Sequence, residues 1–364
     1  MRFLMLNWRD PKNPLAGGAE RVTEAYLRGL MERGHEVAWF ANAFDGAPEE
    51  EEIDGLQVAR GGGKFTSWRA ARRWVRKQEK FDLIIDQHHG LPWYAPWWGR
   101  TRCVAYIHEV LGPIWDSFYP WPVSTFGRWQ ERWTHWAYRR THFWTASSFT
   151  RDQLKKHGVR QISIIPYGVD TQALEHLDEK PLKEPLRLVA VSRLAPNKRV
   201  DHALQAVDSL RGQGVDTRLV IVGSGSEEGM LRALAEQLGL VECVEFTGAI
   251  DEEEKNRRLR EAHFLVHTSV REGWGLNVIE ANAMGTPACV YPVPGLVEST
   301  WHDRTGLVTE TESARSLARA LHRALEQPDD YQRHRHEALD RARGMHWDRV
   351  LPQACDQLEA WARE

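Results

Sequence analysis

The stretch REGWGLNVIEANAMGTP, residues 271–287, begins with a glycine-rich turn and continues into an apolar run of helical length. It lies between two short apolar segments, HFLVHTS (263–269) and PACVYP (287–292). A strand, a helix and a second strand in this order indicate a βαβ unit with parallel strands. In such sheets ligands bind beyond the carboxyl ends of the strands, where the helices begin.

The same alternation of apolar strands and amphipathic helices runs along the whole chain and predicts an α/β fold. In the first half, strands are expected at 2–7, 36–41, 81–86, 102–107, 142–147 and 162–168, with a helix at about 18–33. After a charged, proline-containing linker at 171–185, strands are expected at 186–193, 217–225, 241–248, 263–269 and 287–292. The pattern predicts two doubly wound domains, at about 1–170 and 186–345, with the ligand in the crevice between them.

Length and charge support this division. A chain of 364 residues exceeds one ordinary core. The net charge of -3 argues against a general nucleic-acid binder. Residues 1–170 hold 24 Lys and Arg against 19 Asp and Glu, whereas residues 171–364 hold 24 against 32, so the two halves differ in charge.

The cysteines and the apolar runs bear on localisation. The four cysteines are scattered without metal-ligand or redox spacing, which favours reduced thiols. The N-terminus lacks the apolar core of a signal peptide, and no apolar run reaches the roughly 20 residues of a membrane span. The expectation is a cytoplasmic protein, with peripheral contact at the inner face of the membrane as an extension.

The turn of the opening stretch suits a phosphate or a sugar. Gly273 and Gly275 permit a tight turn, and the helix that starts near Leu276 directs unpaired N–H groups toward it. Glu280 lies one turn into this helix and would repel a phosphate, so it is better suited to accept hydrogen bonds from a ribose diol. Glu272 could do the same for a sugar ring. The alternative is an ordinary helix start with Glu280 solvated.

Two cations add to this interpretation. In VSRLAPNKRVDHALQA (191–206), Arg193 follows a predicted strand and Lys198 comes five residues later. Converging on the turn at 273–276, they would neutralise a diphosphate without a metal. The sequence has no Asp-x-Asp triplet, the usual carboxylate hook for a metal-bound diphosphate. Taken alone, both residues could equally be surface charges.

In NPLAGGAERV (13–22), Gly17 and Gly18 follow the first strand and open a helix, as in dinucleotide-binding turns. The G-x-G-x-x-G spacing and the acidic residue after the next strand are missing. This disfavours a nicotinamide dehydrogenase.

With these motifs the chain resembles the retaining glycosyltransferases of family 4, which have the GT-B fold of two facing Rossmann-like domains. The resemblance covers nearly the whole length, and its most specific element is Glu272 and Glu280, spaced E-x7-E, preceded by Arg193 and Lys198. The other matching segments are GGAERV (17–22), RGHEV (33–37), IIPYGVD (164–170), VGSGSEEGMLRALAEQLGLVECVEFTGAI (222–250) and TGLV (305–308).

The resemblance implies transfer of a hexose from a nucleoside diphosphate sugar, such as a UDP- or GDP-sugar, with retention and without a cofactor. Arg193 and Lys198 would hold the diphosphate, joined by the amide of Gly18 on closure. Glu272 and the turn amides would hold the donor sugar, and Glu280 the ribose. The turn residues are Gly273, Trp274, Gly275 and Leu276, and the base would lie near 247–251, which includes Gly248 and Ile250.

His108, in VAYIHEV, matches the family position that faces the donor sugar. His88 and His89, at another strand end, compete for this role, and a plain loop histidine is the other alternative. Trp274 stands where the family usually has Phe, which could narrow the sugar pocket. Family members also cross back onto the first domain with their last helix, which fits 346–364.

The acceptor is a glycan, a lipid or a small molecule on this interpretation. Thirteen of 17 tryptophans fall in residues 1–150, and the loops 91–98 and 117–123 are aromatic. Segment 64–80 carries seven cations against one anion, with Trp68, Ala71 and Val75 on one face. A membrane contact through 64–80 and 91–98 would use these features. The alternatives are an aromatic acceptor platform and an ordinary helix with a solvated basic face.

Two other functions share the expected architecture. One is a nucleotide-sugar epimerase or a phosphorylase, and the other is a catalytically silent protein that binds sugar nucleotides. The E-x7-E element with its two cations favours a transferase over both. Base, sugar, acceptor and linkage depend on pocket shape, which the sequence does not specify.

Overall fold

The computed structural model describes residues 1–88, 90–112 and 115–364, without the side chains of Ser117 and Phe118. The chain divides into two compact units. Unit 1 comprises Met1–Gly168 together with Trp347–Glu364, and unit 2 comprises Val169–His346. Within the described residues, no helix combines the length and apolar character that crossing a bilayer requires.

Unit 1 is built on an eight-stranded sheet with the strand order β3-β4-β2-β1-β5-β6-β7-β8. The neighbours are parallel except for the β3–β4 hairpin at one edge. The strands are β1 (Arg2–Leu6), β2 (Glu36–Ala41), β3 (Glu50–Ile53), β4 (Leu56–Arg60), β5 (Leu83–His88), β6 (Arg102–Ile107), β7 (His142–Thr145) and β8 (Ile162–Ile164).

Helices flank this sheet. They are α1 (Gly18–Glu32), α2 (Ser67–Val75), α3 (Trp115–Phe118), α4 (Val123–Ala137), α5 (Ser148–Lys156) and, from the end of the chain, α13 (Trp347–Arg363). The central strands are apolar runs, such as RFLML in β1, and Phe3 to Leu6 are fully buried. Such continuous apolar strands are typical of parallel sheets that are covered on both faces.

Unit 2 contains a six-stranded parallel sheet with the order β11-β10-β9-β12-β13-β14. The strands are β9 (Leu186–Val191), β10 (Thr217–Val222), β11 (Val244–Gly248), β12 (Phe264–His267), β13 (Ala288–Val290) and β14 (Gly306–Val308). The helices are α6 (Val200–Gly212), α7 (Glu228–Gln237), α8 (Glu252–Glu261), α9 (Leu276–Ala283), α10 (Pro294–Ser299), α11 (Ala314–Glu326) and α12 (Pro328–Arg343). The predicted α/β class with parallel sheets is confirmed.

The last helix of the chain packs within unit 1. Gly29 of α1 faces Leu351 and Cys355 of α13, and a side chain at Gly29 would come within 3.1 Å of the Cys355 sulfur. The Trp347 ring packs edge-on against Tyr26, whose hydroxyl donates to the Pro166 carbonyl at 2.8 Å. The apolar face of α13 therefore completes the core of unit 1.

The structure differs from the sequence prediction at edges and boundaries. The hairpin β3–β4 and the edge strand β14 are not among the predicted strands, because β3 (EEEI) is polar and β14 has only three residues. The basic segment 64–80 forms a helix only over Ser67–Val75, and its apolar side packs inward, with Ala71 fully buried. Edge strands carry charge and little apolar signal, which makes them hard to predict.

The predicted linker 171–185 belongs to unit 2 and is anchored there. Lys180 is buried, and its ammonium donates to the Ala262 carbonyl at 2.6 Å and to the Thr286 hydroxyl at 2.8 Å. Burial lowers the pKa of Lys180 well below its ordinary value. The segment therefore packs against the domain that follows it, despite its polar composition.

Gly168 is a point where unit 1 admits no side chain. A Cβ at this position would lie 2.4 Å from the Trp347 ring. We expect Gly168→Ala to lower the free energy of unfolding by about 1–3 kcal/mol, the usual cost of overpacking. Urea denaturation would measure it, with Gly63→Ala as the control, because a Cβ at Gly63 meets nothing within 4 Å. Equal stability of the two variants would contradict this packing.

Candidate active site

The candidate site lies in unit 2, where the strands β9, β10, β11 and β12 end. Short contacts join the loops that follow these strands. The Ser192 amide donates to the Val222 carbonyl at 3.1 Å, and the Gly223 amide donates to the Gly248 carbonyl at 2.9 Å. Gly223 has φ +126°, and a side chain there would come within 2.0 Å of the Ser192 oxygen. The carboxyl edge of the sheet is therefore one closely packed surface.

Lys198 is held at this edge by its backbone. It ends a short 3-10 helix, Pro196–Lys198, that follows β9. Its carbonyl accepts from the Thr268 hydroxyl at 3.0 Å, and the carbonyl of Asn197 accepts from the Val270 amide at 3.1 Å. These two bonds attach the loop after β9 to the loop after β12.

The consequence is an ion pair between two residues that the sequence analysis singled out. The Lys198 ammonium lies 2.6 Å from the Glu272 carboxylate, and the two side chains are only 15% and 22% exposed. Burial raises the pKa of Glu272, but the lowering by its neighbours, led by the charge and hydrogen bond of Lys198, outweighs it, and the pKa is lowered overall. Glu272 is therefore an ionised hydrogen-bond acceptor at neutral pH. Arg193 itself is exposed to solvent.

His267 is a neighbour of this pair that the sequence analysis missed. It is the last residue of β12, and its Nε2 lies 3.5 Å from the Glu272 carboxylate. Burial lowers its pKa to about 4, so the ring is neutral at pH 7. Its position at a strand end, five residues before Glu272, is the signal that could have identified it.

The turn between Glu272 and α9 is fixed by close packing. Gly275 precedes the helix with φ +84°, a left-handed conformation that favours glycine. A side chain at Gly295, in α10, would come within 2.1 Å of the Glu272 carbonyl. The Asn277 amide group donates to the Val191 carbonyl at 2.7 Å. The amino end of α9 is thus placed against the end of β9, and Leu276 is its first residue.

Trp274 and Gly273, the other predicted residues of this turn, differ in how closely the protein packs around them. Trp274 is buried, with 7% of its surface exposed, so it packs into unit 2. Gly273 has open space where a side chain would be, and a Cβ there meets nothing within 4 Å. Of the two glycines of the turn, Gly275 is the one that the backbone requires.

Glu280 is paired and only 21% exposed, in contrast to the fully solvated alternative considered for it. Its carboxylate lies 3.0 Å from the ammonium of Lys255, which also pairs with Glu252 at 2.7 Å. Burial lowers the pKa of Lys255, but the two carboxylates outweigh it and the pKa is raised. Lys255 lies on α8 and was missed, because a single lysine in the charged run of α8 gives no distinguishing signal.

The predicted base-binding segment follows β11. Gly248 ends this strand with φ +70°, and Ile250 packs partly buried against the core of unit 2. Asp251 then caps α8, since its carboxylate accepts from the Glu254 amide at 2.8 Å. Gly248 therefore lies on the same sheet edge as Lys198, two strands away in the order β11-β10-β9.

In unit 1, His108 is fixed from two sides just after β6. Its Nδ1 is hydrogen-bonded to the Tyr167 hydroxyl, and its Nε2 lies 2.8 Å from the side-chain nitrogen of Gln87. Gln87 in turn accepts from the Thr23 hydroxyl at 3.2 Å. The sequence analysis missed Gln87 and Tyr167, which hold the histidine in one orientation.

Of the two histidines that compete with His108 for this role, only His88 is described. His88 is buried, and its ring packs edge-on against Tyr138 and Phe143 in the core. His89 lies outside the described residues. Of the two described histidines, only His108 has a partly exposed side chain.

The glycine turn of unit 1 has its own acidic partner. Gly17 precedes α1, and its amide donates to the Glu20 carboxylate at 2.7 Å. Glu20 is buried, and Gly18 is the first residue of the helix.

Across the described residues, no group of three histidine, cysteine or acidic side chains is arranged to hold a metal ion.

His267 gives unit 2 a specific acid sensitivity. Because its folded pKa of about 4 lies below the ordinary 6.5, the unfolded chain binds the additional proton as the pH falls. We expect about 3 kcal/mol of stability to be lost through this group between pH 7 and pH 4.

His267→Gln would remove this part of the pH dependence. Chemical denaturation at several pH values measures it, and His336→Gln, at an exposed histidine, is the matched control. A pH profile of His267→Gln that follows the wild type would show that the ring is not held neutral.

Comparison with known proteins identifies the family of the chain. Residues 16–173 match the family model described as Glycosyltransferase Family 4, and residues 174–341 match Glycosyl transferases group 1. An uncharacterized glycosyltransferase of Methanocaldococcus jannaschii, MJ1607, is 30% identical, and the match covers 89% of each chain. The glycogen synthase of Mycobacterium tuberculosis is 28% identical over 94% of this chain and 90% of its own.

Solved structures share the fold of this chain. The crystal structure of Anabaena Alr3699/HepE in complex with UDP and glucose matches 99% of this chain and 100% of its own, with a TM-score of 0.73 and 17% identity. This likeness confirms the predicted GT-B fold class of two Rossmann-like domains. The chain belongs to the group 1 glycosyltransferases of the family 4 type, and it is a glycosyltransferase.

Proposed function

We propose that this enzyme transfers a hexose from a nucleoside diphosphate sugar to a hydroxyl group, with retention at the anomeric carbon and without a metal ion. The observation that carries the proposal is the Lys198–Glu272 pair, 2.6 Å apart, at the amino end of α9. This arrangement combines a cation, a helix terminus and an ionised acceptor at one sheet edge. The cation and the helix terminus match the diphosphate of a nucleotide-sugar donor, and the ionised acceptor matches its hydroxyl groups.

The diphosphate is assigned to Lys198, Arg193 and the amides at the start of α9. An ammonium group has three N–H donors, of which Glu272 accepts one, so a phosphate oxygen can accept another. The helix terminus adds partial positive charge and unpaired amides. As the glycosidic bond breaks, negative charge develops on the leaving diphosphate and these groups stabilise it most strongly in that state. The positive charge of the protein takes the part that a metal would otherwise play.

The hydroxyl groups of the donor are assigned to the two glutamates. Glu272 is kept ionised by Lys198 and accepts from the transferred sugar, next to the turn amides of Trp274 and Gly275. Glu280, which is paired with Lys255, accepts from the ribose diol. The base is assigned to the segment around Gly248 and Ile250.

His108 is proposed to face the donor sugar from unit 1, as in the family resemblance. Its contacts with Tyr167 and Gln87 fix the ring, which supports a role that depends on orientation. Gly17 and Gly18 are proposed to approach the diphosphate through the Gly18 amide. Retention would follow from front-face attack of the acceptor hydroxyl on the same side as the departing diphosphate.

The donor is proposed to be a UDP- or GDP-sugar, and the UDP complex of Alr3699/HepE makes UDP-glucose the first donor to test. The acceptor is proposed to be a glycan, a lipid or a small molecule. The membrane contact through 64–80 and 91–98 stays a prediction. In the second of these segments Trp97 is 58% exposed, whereas Trp93 is buried.

Release of nucleoside diphosphate from UDP-, GDP-, ADP- and dTDP-sugars tests the function directly. A glycosyltransferase releases nucleoside diphosphate slowly without an acceptor, by transfer of the sugar to water, and faster with one, by transfer of the sugar to the acceptor hydroxyl. A protein that only binds sugar nucleotides shifts its melting temperature with the donor and releases no nucleotide. Such a result would contradict the proposal.

Lys198→Ala tests the role of the cation. We expect the turnover number to fall by about 10²–10³, the usual cost of losing one group that stabilises transition-state charge. The measurement is the rate of nucleoside diphosphate release at saturating donor. Lys183→Ala, at an exposed lysine of unit 2, is the matched control and should keep the wild-type rate. An unchanged turnover number in Lys198→Ala would remove Lys198 from the mechanism.

Glu280→Gln tests the ribose contact. We expect the affinity for the free nucleoside diphosphate to fall by about tenfold, because a charge-assisted hydrogen bond becomes a neutral one. Isothermal titration calorimetry measures the affinity, and Glu312→Gln at an exposed position is the control. A 2'-deoxynucleotide should bind wild type and Glu280→Gln more equally than the ribonucleotide does. Equal discrimination by both proteins would contradict the assignment.

A further inference from the structure

Helix α4 of unit 1 is amphipathic in the reverse of the usual sense. Its inward side carries small and polar residues, and a side chain at Gly127 would come within 2.4 Å of the Trp115 ring. Its outward side is aromatic: Phe126 is 65% exposed, Trp129 60%, Trp133 45% and Trp136 54%. A helix normally turns its apolar side to the core, so this stripe requires an explanation.

The stripe continues beyond the helix. Trp121, just before α4, is 81% exposed, and Phe65 is 73% exposed. Lys64 joins the two regions, because its ammonium donates to the Tyr119 hydroxyl at 2.9 Å. Helix α2 begins three residues after Lys64, and its arginines Arg69, Arg72 and Arg73 are exposed. Exposed aromatic and basic residues therefore adjoin on unit 1.

The charge of this surface is predominantly positive, and the exposed Asp116, just before α4, is paired with Arg128 at 2.7 Å. Among residues 121–140, Glu131 is the only acidic residue in the sequence, and it is buried. Its carboxylate accepts from the Leu111 and Gly112 amides at 2.7 and 2.8 Å, so its charge is directed inward. Arg132 and Arg140 are exposed, and the Arg139 guanidinium lies 4.2 Å from the centre of the Trp136 ring.

We propose that the outward face of α4, with Trp121 and Phe65, docks unit 1 onto an anionic lipid surface. Tryptophan is favoured at the boundary between headgroups and acyl chains, and exposed arginines pair with anionic headgroups. This surface is centred on α4, which lies outside the segments 64–80 and 91–98 singled out in the sequence, and it includes Phe65 from the first of them. The docking does not depend on which donor the enzyme uses.

Charge argues against a second copy of the chain as the occupant. A two-fold interface places the same patch on both sides, and the exposed Arg132 and Arg140 would then face a surface whose exposed carboxylate, Asp116, is already paired with Arg128. An anionic bilayer supplies both the complementary charge and the interfacial environment for the aromatic rings. The lipid surface is therefore the occupant that matches both properties.

Co-sedimentation with vesicles tests the docking. The probes are pure phosphatidylcholine vesicles and vesicles of phosphatidylcholine with phosphatidylglycerol, at low and at high salt. The wild type should pellet with the anionic vesicles at low salt, less at high salt and little with the neutral ones. The emission of its tryptophans should shift to shorter wavelength on binding.

Two variants separate the aromatic and the basic parts. W129S/W133S should lower the partition coefficient by about tenfold or more, since each ring removes apolar surface from water. R132Q/R140Q should lower it by about 25-fold on anionic vesicles, because each surface arginine contributes roughly a factor of five. Trp301→Ser, at an exposed tryptophan of unit 2, is the matched control and should bind as the wild type.

Three results would overturn the proposal. One is the absence of pelleting with anionic vesicles at low salt. The second is an unchanged partition coefficient in W129S/W133S, with circular dichroism showing a folded protein. The third is a wild-type dimer in sedimentation velocity that W129S/W133S converts to a monomer, because a second copy would then cover the face. Donor hydrolysis by W129S/W133S should equal that of the wild type, so loss of docking is distinguishable from failure of the proposed function.

Discussion

The contact between the Lys198 ammonium and the Glu272 carboxylate is the interaction on which the candidate site depends. It joins the loop after β9 to the loop after β12, which are neighbouring strands of the sheet of unit 2. The backbone already fixes both partners, through Thr268 on one side and the close approach of Gly295 on the other. The pair therefore lies in a preorganised frame, and little reorganisation would accompany donor binding.

The same edge shows how one ion pair serves two purposes. Lys198 keeps Glu272 ionised in a largely buried position, and Glu272 holds the ammonium next to the amino end of α9. His267 stays neutral beside them and adds no charge at pH 7. Glu280, on α9, is paired in turn with Lys255 of α8 at 3.0 Å. Each glutamate of the E-x7-E element thus has its own lysine, from a different element of the fold.

The sequence predicted the centre of each sheet well and its margins poorly. Apolar runs such as LRLVAV in β9 and FLVH in β12 signal buried parallel strands, whereas the charged β3 and the three-residue β14 carry no such signal. Glycines and charges at strand ends indicated Lys198, Glu272 and Gly275, because parallel strands bring their carboxyl ends to one edge. The sequence analysis did not predict roles for Lys255, Gln87 and Tyr167, because their partners are distant in sequence. The outward orientation of the aromatic side of α4 could not be predicted either. Periodicity shows that a helix has an apolar stripe, but it does not show whether the stripe faces the core or the solvent.

The most direct test is a crystal structure of the enzyme with a bound nucleoside diphosphate. The account predicts the terminal phosphate within hydrogen-bond distance of the Lys198 ammonium and the amides at the start of α9, with the ribose hydroxyls on Glu280. A nucleotide bound elsewhere, with the Lys198–Glu272 pair facing only solvent, would contradict the account.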